Sequence, residues 1–282
     1  MVQYKRWGRQ ALMLTESSLG GFAKRERVIV CVHGMFGGAW YFGPWLERFA
    51  DAGLGALALD LRGHHDSLLP SGQLLGAVSM SDYTEDVGMV LELLEEAGIA
   101  RERVILLGHS MGGLIAQMVA SRRALGGLVL VASALPRARM GHKAAWDSLA
   151  LRLSRWGVTA RETRGQIQPP NASKFIRQMF AGLEEPQLSY TIGRLVPESA
   201  QAVADIVRGI ALPQGAKHCP TLIVAGIRDP IVPSGLLYAL HQSQASTFHS
   251  YPCGHFPMLE KVAPQVVDAI VVWAKQAVSR QP

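Results

Sequence analysis

Three residues of this chain, Ser110, Asp229 and His255, are of the types that nucleophilic chemistry at a carbonyl requires. Ser110 is the centre of Gly108-His109-Ser110-Met111-Gly112, directly behind the apolar run 104–107. Val104-Ile105-Leu106-Leu107 predicts a buried strand, and residues 114–120 predict a helix. Glycines on both sides of the serine permit a turn too tight for side chains. That geometry forces Ser110 into a strained strand-to-helix backbone and presents its hydroxyl at the sheet edge. The amino end of the helix aims unpaired N–H groups at any negative charge that forms there. A serine between glycines is by itself an ordinary turn. A serine hydroxyl is also a weak nucleophile until a base takes its proton, so the pentapeptide predicts an imidazole and a carboxylate elsewhere.

Both partners appear in sequence order. The run 221–225 leads into Gly226-Ile227-Arg228-Asp229-Pro230, which puts Asp229 on a turn at a strand's carboxyl end, a common place for aspartate in any fold. His255 follows 26 residues later, beyond a predicted strand at 246–251, on a loop between Gly254 and a helix expected to start at Pro257. No acidic residue follows the predicted strand 128–132, where Ser133-Ala134-Leu135 stands, so that position is closed to the carboxylate. Of the nine histidines only His255 occupies such a place. The predicted strand 28–32 ends in His33-Gly34-Met35-Phe36-Gly37-Gly38, whose turn can offer the Met35 N–H beside that of Met111. Two such donors stabilise a tetrahedral oxyanion, and losing one costs about 10²–10³ in rate. His33 reads as a structural residue that holds this loop by hydrogen bonds.

The elements that must position these groups alternate between strand and helix. Strands are expected at 28–32, 55–61, 104–107, 128–132, 221–225 and 246–251, and helices at 40–52, 82–97 and 265–277. This is the pattern of a mostly parallel sheet covered on both faces. A βα unit needs only about 30 residues, yet roughly 85 separate residue 132 from residue 221. The extra stretch is helix-rich and contains Trp146, Trp156, Phe175, Met179 and Phe180. It is expected to lie over the carboxyl ends of the strands, where open α/β sheets bind ligands. Most of its aromatics are expected to pack on each other, while Trp146, Trp156 and Met179, together with Phe36 and Phe256, are expected to line a pocket.

Composition narrows the classes. A chain of 282 residues that is 49% hydrophobic can bury a large core. No apolar run reaches the roughly 18 residues needed to cross a bilayer, and no export signal is visible, so stable membrane insertion is not expected. Cys31, Cys219 and Cys253 cannot pair completely and have no metal spacing, which suggests reduced core thiols in a cytoplasmic protein. The net charge of +6 belongs to residues 137–217, which hold 12 Lys and Arg against 6 Asp and Glu. No basic run with interleaved aromatics accompanies it, so a nucleic-acid partner is not expected. Solvated arginines are the plainer explanation of the surplus; an acidic substrate is the other.

Together these motifs make the chain resemble the α/β-hydrolase family, in particular its serine esterase- and lipase-like members with a helical cap, over nearly its whole length. The resemblance implies a mostly parallel eight-stranded sheet flanked by helices. Residues 1–136 and 215–282 would form the core and 137–214 the cap. It implies Ser110 as nucleophile, His255 as base, Asp229 as the acid orienting it, and Met35 and Met111 as oxyanion donors, with no metal or organic cofactor. Asp60-Leu61-Arg62-Gly63-His64-His65-Asp66-Ser67 resembles the family's turn after its fourth strand, with His65 where glycine is common.

Relatives that cleave epoxides or haloalkanes place aspartate at the elbow, so a serine there implies acyl transfer. A carboxylesterase acting on a small or medium, largely apolar ester is the first expectation. A carbon–carbon bond hydrolase of a ring-cleavage pathway, a thioesterase or a lactonase are the alternatives. The carbon–carbon class often has tryptophan after its catalytic histidine, where this chain has Phe256. A ligand-binding receptor of the same fold is the non-enzymatic alternative, and the chain is expected to be a monomer or a homodimer.

Overall fold

A computed structural model describes residues 2–137, 165–169, 174–212 and 219–276. The chain opens with a hairpin that the strand patterns above did not include, β1 (Gln3–Trp7) and β2 (Gln10–Leu14), joined by Gly8 and Arg9. Gly8 takes φ 57, the left-handed conformation that two-residue hairpin loops require. Strand β1 is largely exposed and carries Lys5 and Arg6, charges that discourage another edge from pairing with it. Strand β2 is buried throughout.

β3 (Val28–Val32) is Val-Ile-Val-Cys-Val with every residue buried, as a strand covered on both faces must be. Each such aliphatic side chain contributes about 1.5–3 kcal/mol by leaving water. The expected helix 40–52 is split into a 3-10 turn at Ala39–Phe42 and α1 (Gly43–Asp51). The cause is Pro44, which lacks an N–H and is tolerated only in the first helical turn. β4 (Gly55–Asp60) leads to the loop containing His64 and His65. His65 has φ 43, so it holds a conformation that glycine adopts without strain. Buried Arg62 fixes that loop, its backbone N–H and Nε each donating to Asp86 at 2.8 Å.

Asp86 lies on α2 (Met80–Glu96), which starts at a capping box: Asp82 N–H donates to Ser79 Oγ at 3.2 Å, and Ser79 N–H donates to Asp82 Oδ2 at 2.8 Å. β5 (Val104–His109), α3 (Met111–Ala120) and β6 (Gly127–Val131) follow. Before the next central strand come β7 (Gln166–Ile167), α4 (Lys174–Met179), α5 (Gln187–Gly193), β8 (Glu198–Ser199) and α6 (Ala200–Arg208). β7 and β8 pair antiparallel as a separate small ribbon. β9 (Thr221–Gly226), α7 (Ser234–Gln242), β10 (Thr247–Tyr251) and α8 (Ala263–Gln276) complete the chain.

The eight-stranded sheet runs β1-β2-β4-β3-β5-β6-β9-β10, antiparallel only where β2 meets β1 and β4. The mostly parallel sheet is therefore present, and Ser110 and Asp229 both follow the carboxyl ends of its strands. Among the described residues no helix is long and apolar enough to cross a membrane. Removing the α2 cap tests the local reading of that helix. Ser79→Ala should cost about 1 kcal/mol of stability in urea unfolding, with the slope of the transition unchanged.

Candidate active site

Ser110 stands between β5 and α3 at φ 53 and ψ −119. Two close backbone approaches require this. A Cβ on Gly108 would lie 2.3 Å from the Gly112 carbonyl oxygen, and one on Gly112 would lie 2.2 Å from the Val32 carbonyl oxygen. Any side chain at either position would push the turn apart. A non-glycine residue at positive φ costs on the order of 1–3 kcal/mol, and here the surroundings impose it. The Ser110 N–H donates to Val131 O at 3.0 Å, while its carbonyl accepts from Gly113 and Ala134, each at 2.9 Å.

His255 and Asp229 meet it. Ser110 Oγ lies 2.9 Å from His255 Nε2, and His255 Nδ1 lies 2.8 Å from Asp229 Oδ2. The other carboxylate oxygen accepts the N–H groups of Ile231 (2.7 Å) and Val232 (3.0 Å), so Asp229 is fixed by its own turn. An ionised carboxylate only accepts, which puts the His255 proton on Nδ1 and leaves Nε2 to accept from the serine hydroxyl. The expected helix starting at Pro257 does not form, and the segment runs through turns until α8. Its cause is Glu260, whose carboxylate folds back to accept the Gly254 N–H at 2.8 Å and closes the loop on itself.

His109, between Gly108 and the serine, supports this arrangement from below. Its Nε2–H donates to the His255 carbonyl at 2.8 Å, and its Nδ1 accepts from the Tyr41 hydroxyl at 3.1 Å. The Tyr41 oxygen in turn accepts the Gly34 N–H. One chain of hydrogen bonds thus joins the turn after β3 to the loop of His255. Burial, with the nearby His255 ring, holds His109 well below the ordinary imidazole range, as a neutral ring between a donor and an acceptor requires. His33 is tied in the same way: Nδ1–H donates to Gly34 O at 2.9 Å and Nε2 accepts the Leu61 N–H at 3.1 Å.

The Gly34 backbone passes directly over Ser110. A Cβ there would lie 2.9 Å from Ser110 Cβ and 3.0 Å from His109 Nδ1. This brings Met35 next to Ser110, and Met111 is the first residue of α3. Among the described residues neither N–H makes a backbone hydrogen bond outside helices and strands. Phe36, at φ 61, packs in a small cluster with Ile167 and Val203, against which Met35 also rests. Phe256 stacks against His255, His109 and Phe180, with ring centroids 5.2, 4.8 and 4.5 Å away. Met179 is buried in the main core. Trp146 and Trp156 lie outside the described residues. The neighbours that sequence reasoning missed are Tyr41, Glu260 and the supporting role of His109.

Among the described residues no group of three or more His, Cys, Asp or Glu is placed to hold a metal ion. A recess lined by Thr221, Thr247 and Trp273 opens at the amino ends of β9 and β10, away from the end that carries Asp229.

Three neutral imidazoles give the fold a defined response to acid. Burial holds His33 and His109 well below 6.5 and brings His65 down to about 4. The unfolded chain takes up these protons near pH 6.5 and the folded chain does not, so stability is lost as pH falls below that value. His64 has the opposite sign, since its folded proton is held above 6.5. Its contribution is complete below that pH and adds nothing on further acidification. Urea unfolding should therefore show stability falling between about pH 6.5 and about pH 5, by up to about 1.4 kcal/mol per pH unit for each neutral ring. Burial brings Asp60 up to about 6 and raises Asp86 and Glu260, so proton uptake by these carboxyls in the fold offsets part of that fall; stability rising over the interval would mean that these rings are charged in the fold.

Over 111 residues the chain is 32% identical to a protein named protein phosphatase methylesterase 1 from Schizosaccharomyces pombe, a match spanning 37% of this chain and 31% of that protein. Over 97 residues it is 36% identical to a protein named 2-succinyl-6-hydroxy-2,4-cyclohexadiene-1-carboxylate synthase from Pectobacterium atrosepticum, 34% of each chain. The chain thus matches about a third of the length of these curated relatives. In structure it is similar to an esterase from Exiguobacterium antarcticum, with a TM-score of 0.69, 19% identity, and coverage of 98% of this chain and 100% of that one. That likeness shows the fold. The family profile described as Serine aminopeptidase, S33, matches residues 23–260, and with this match the chain belongs to that family of α/β hydrolases.

Proposed function

We propose that the protein hydrolyses a carboxylic ester through an acyl-enzyme, with Ser110 as nucleophile, His255 as base and Asp229 as the carboxylate that orients it. The observation that carries this reading is the continuous series Ser110 Oγ, His255 Nε2, His255 Nδ1 and Asp229 Oδ2, with spacings of 2.9 and 2.8 Å. His255 takes the hydroxyl proton as Ser110 attacks the carbonyl carbon. The developing oxyanion is held by the N–H groups of Met35 and Met111, close to the end of the α3 dipole. Collapse of the tetrahedral species breaks the bond to the alkoxide, which leaves with the proton from His255. Water then attacks the acyl-enzyme, His255 accepting its proton and returning it to Ser110 as the acid departs.

In this reading the segment between β6 and β9 covers the site, and Phe36, Met179 and Phe256 surround a largely apolar acyl group. The buried aromatic stack around Phe256 and the Phe36 cluster support an apolar surround. Free thiols at Cys31, Cys219 and Cys253 support a reducing, cytoplasmic setting. The second reading, cleavage of a carbon–carbon bond or of a thioester, uses the same serine, base and carboxylate.

Ser110→Ala should lower turnover of a p-nitrophenyl ester by about 10³-fold or more while the circular dichroism of the folded chain is kept. Asp229→Asn should lower kcat by about 10⁴-fold with KM little changed, because the amide favours the wrong tautomer of His255. A panel of oxygen esters, thioesters and vinylogous diketones separates the two readings, and retention of full activity in the serine variant would end both.

A further inference from the structure

The turn between β3 and the 3-10 segment is held on its far side by residues that no step of the proposed reaction uses. His64 and Glu198 are both fully buried, with His64 Nε2 at 3.2 Å from Glu198 Oε2. The Tyr83 hydroxyl donates to Glu198 Oε1 at 2.6 Å, and the Ser199 N–H donates to the same oxygen at 2.7 Å. His64 Nδ1 faces the Arg62 carbonyl at 3.3 Å. Both ring nitrogens therefore face acceptors, and only a doubly protonated ring has a donor for each. Burial pulls His64 down, but the charge and hydrogen bond of Glu198 more than offset it and hold the ring above the ordinary imidazole range. Burial likewise pushes Glu198 up, and His64, Tyr83 and Ser199 hold it below the usual carboxylate range. A buried ion pair is weak support for stability, since its desolvation cancels most of its attraction. Its use must lie in what it positions.

What it touches answers that. The His64 ring centroid is 4.9 Å from that of His33. His33 is the residue whose nitrogens bind the Leu61 N–H and the Gly34 carbonyl, at the root of the turn that carries Met35. At the other end of the turn the Phe36 carbonyl accepts the Val196 N–H at 3.1 Å. The Phe36 ring packs against Val203 and Leu195. Residues 196–199 are in turn docked on the core, the Ser199 hydroxyl donating to Val78 O at 2.6 Å. One short segment between β6 and β9 thus reaches both ends of the turn.

We infer that Glu198 is a positioning residue for the oxyanion turn: its buried pair with His64 sets the surface on which His33 rests and, with the Val196 hydrogen bond to Phe36, holds the Met35 N–H toward Ser110. The inference rests on the acyl-transfer reading above. It makes docking of this segment and competence of the oxyanion donors a single event. Ground-state binding of the ester does not depend on it, because the donors act on charge that develops only after attack.

The test uses the full chain, a p-nitrophenyl ester, and the trifluoromethyl ketone of the same acyl group, whose adduct with a serine carries an oxyanion. Glu198→Gln keeps the shape and removes the charge. It should lower kcat by about tenfold or more with KM within about twofold, and weaken the ketone by the same factor as kcat/KM. Ile270→Ala, a buried residue of α8 outside the docked segment, should lower the melting temperature while kcat and ketone affinity stay at the parent level. If Glu198→Gln does not fold, His64→Gln is measured in the same way with the same expectation. The inference is overturned if the folded variant keeps kcat and ketone affinity within about twofold of the parent, or loses kcat alone. Failure of the underlying reading looks different: Ser110→Ala would still turn over the ester and the parent would not bind the ketone.

Discussion

Three backbone segments approach one another here more closely than any side chain allows, and the rest of the site is built on that contact. Gly112 lies against the Val32 carbonyl, Gly108 against the Gly112 carbonyl, and Gly34 against Ser110. Each approach removes freedom from the turn until Ser110 has one conformation left, at positive φ. The cost of that conformation is borne by a fully buried strand, β5, and a fully buried helix, α3, so the hydroxyl is held in place before any substrate arrives. An alanine at any of these glycines changes a main-chain distance, which cannot be absorbed by a rotamer.

Around this contact the imidazoles divide into two electrostatic kinds. His33 and His109 are neutral because each ring bridges one donor and one acceptor. His64 faces two acceptors and a carboxylate and carries its proton. A neutral ring can orient a backbone without adding a charge beside the reacting serine. The single charged ring is kept one layer further out, behind His33. The geometry next to Ser110 is therefore set by rigid, uncharged groups, and the buried charge sits where it can brace them.

The hydrogen-bonded series Ser110, His255 and Asp229 was legible in the sequence because each member sits beside local punctuation: glycines around Ser110, a proline after Asp229, a glycine before His255. The parallel core was legible because strands buried on both faces are continuous apolar runs, as at β3. The first hairpin was not, since β1 is a polar edge strand whose pairing depends on its neighbour. Pro44 did carry a signal that the helix begins late. Glu260 and Glu198 left no local mark. A carboxylate that accepts a backbone N–H six residues away, or pairs with a ring 134 residues away, is defined by tertiary closeness alone. Phe36 and Phe256 were found near the site, but their surroundings are packing clusters that periodicity does not reveal.

The separation of Ser110 from His255 has a kinetic meaning. The two are 145 residues apart in the chain, and Asp229 and His255 arrive only when β9 has joined β6 across the long stretch between them. Loop closure of that length is entropically costly and forms late relative to local helices and neighbouring strands. During refolding, helical signal and even the strained turn at Ser110 can be present while His255 is still absent. The contact between Ser110 Oγ and His255 Nε2 is then a marker of completed long-range strand order.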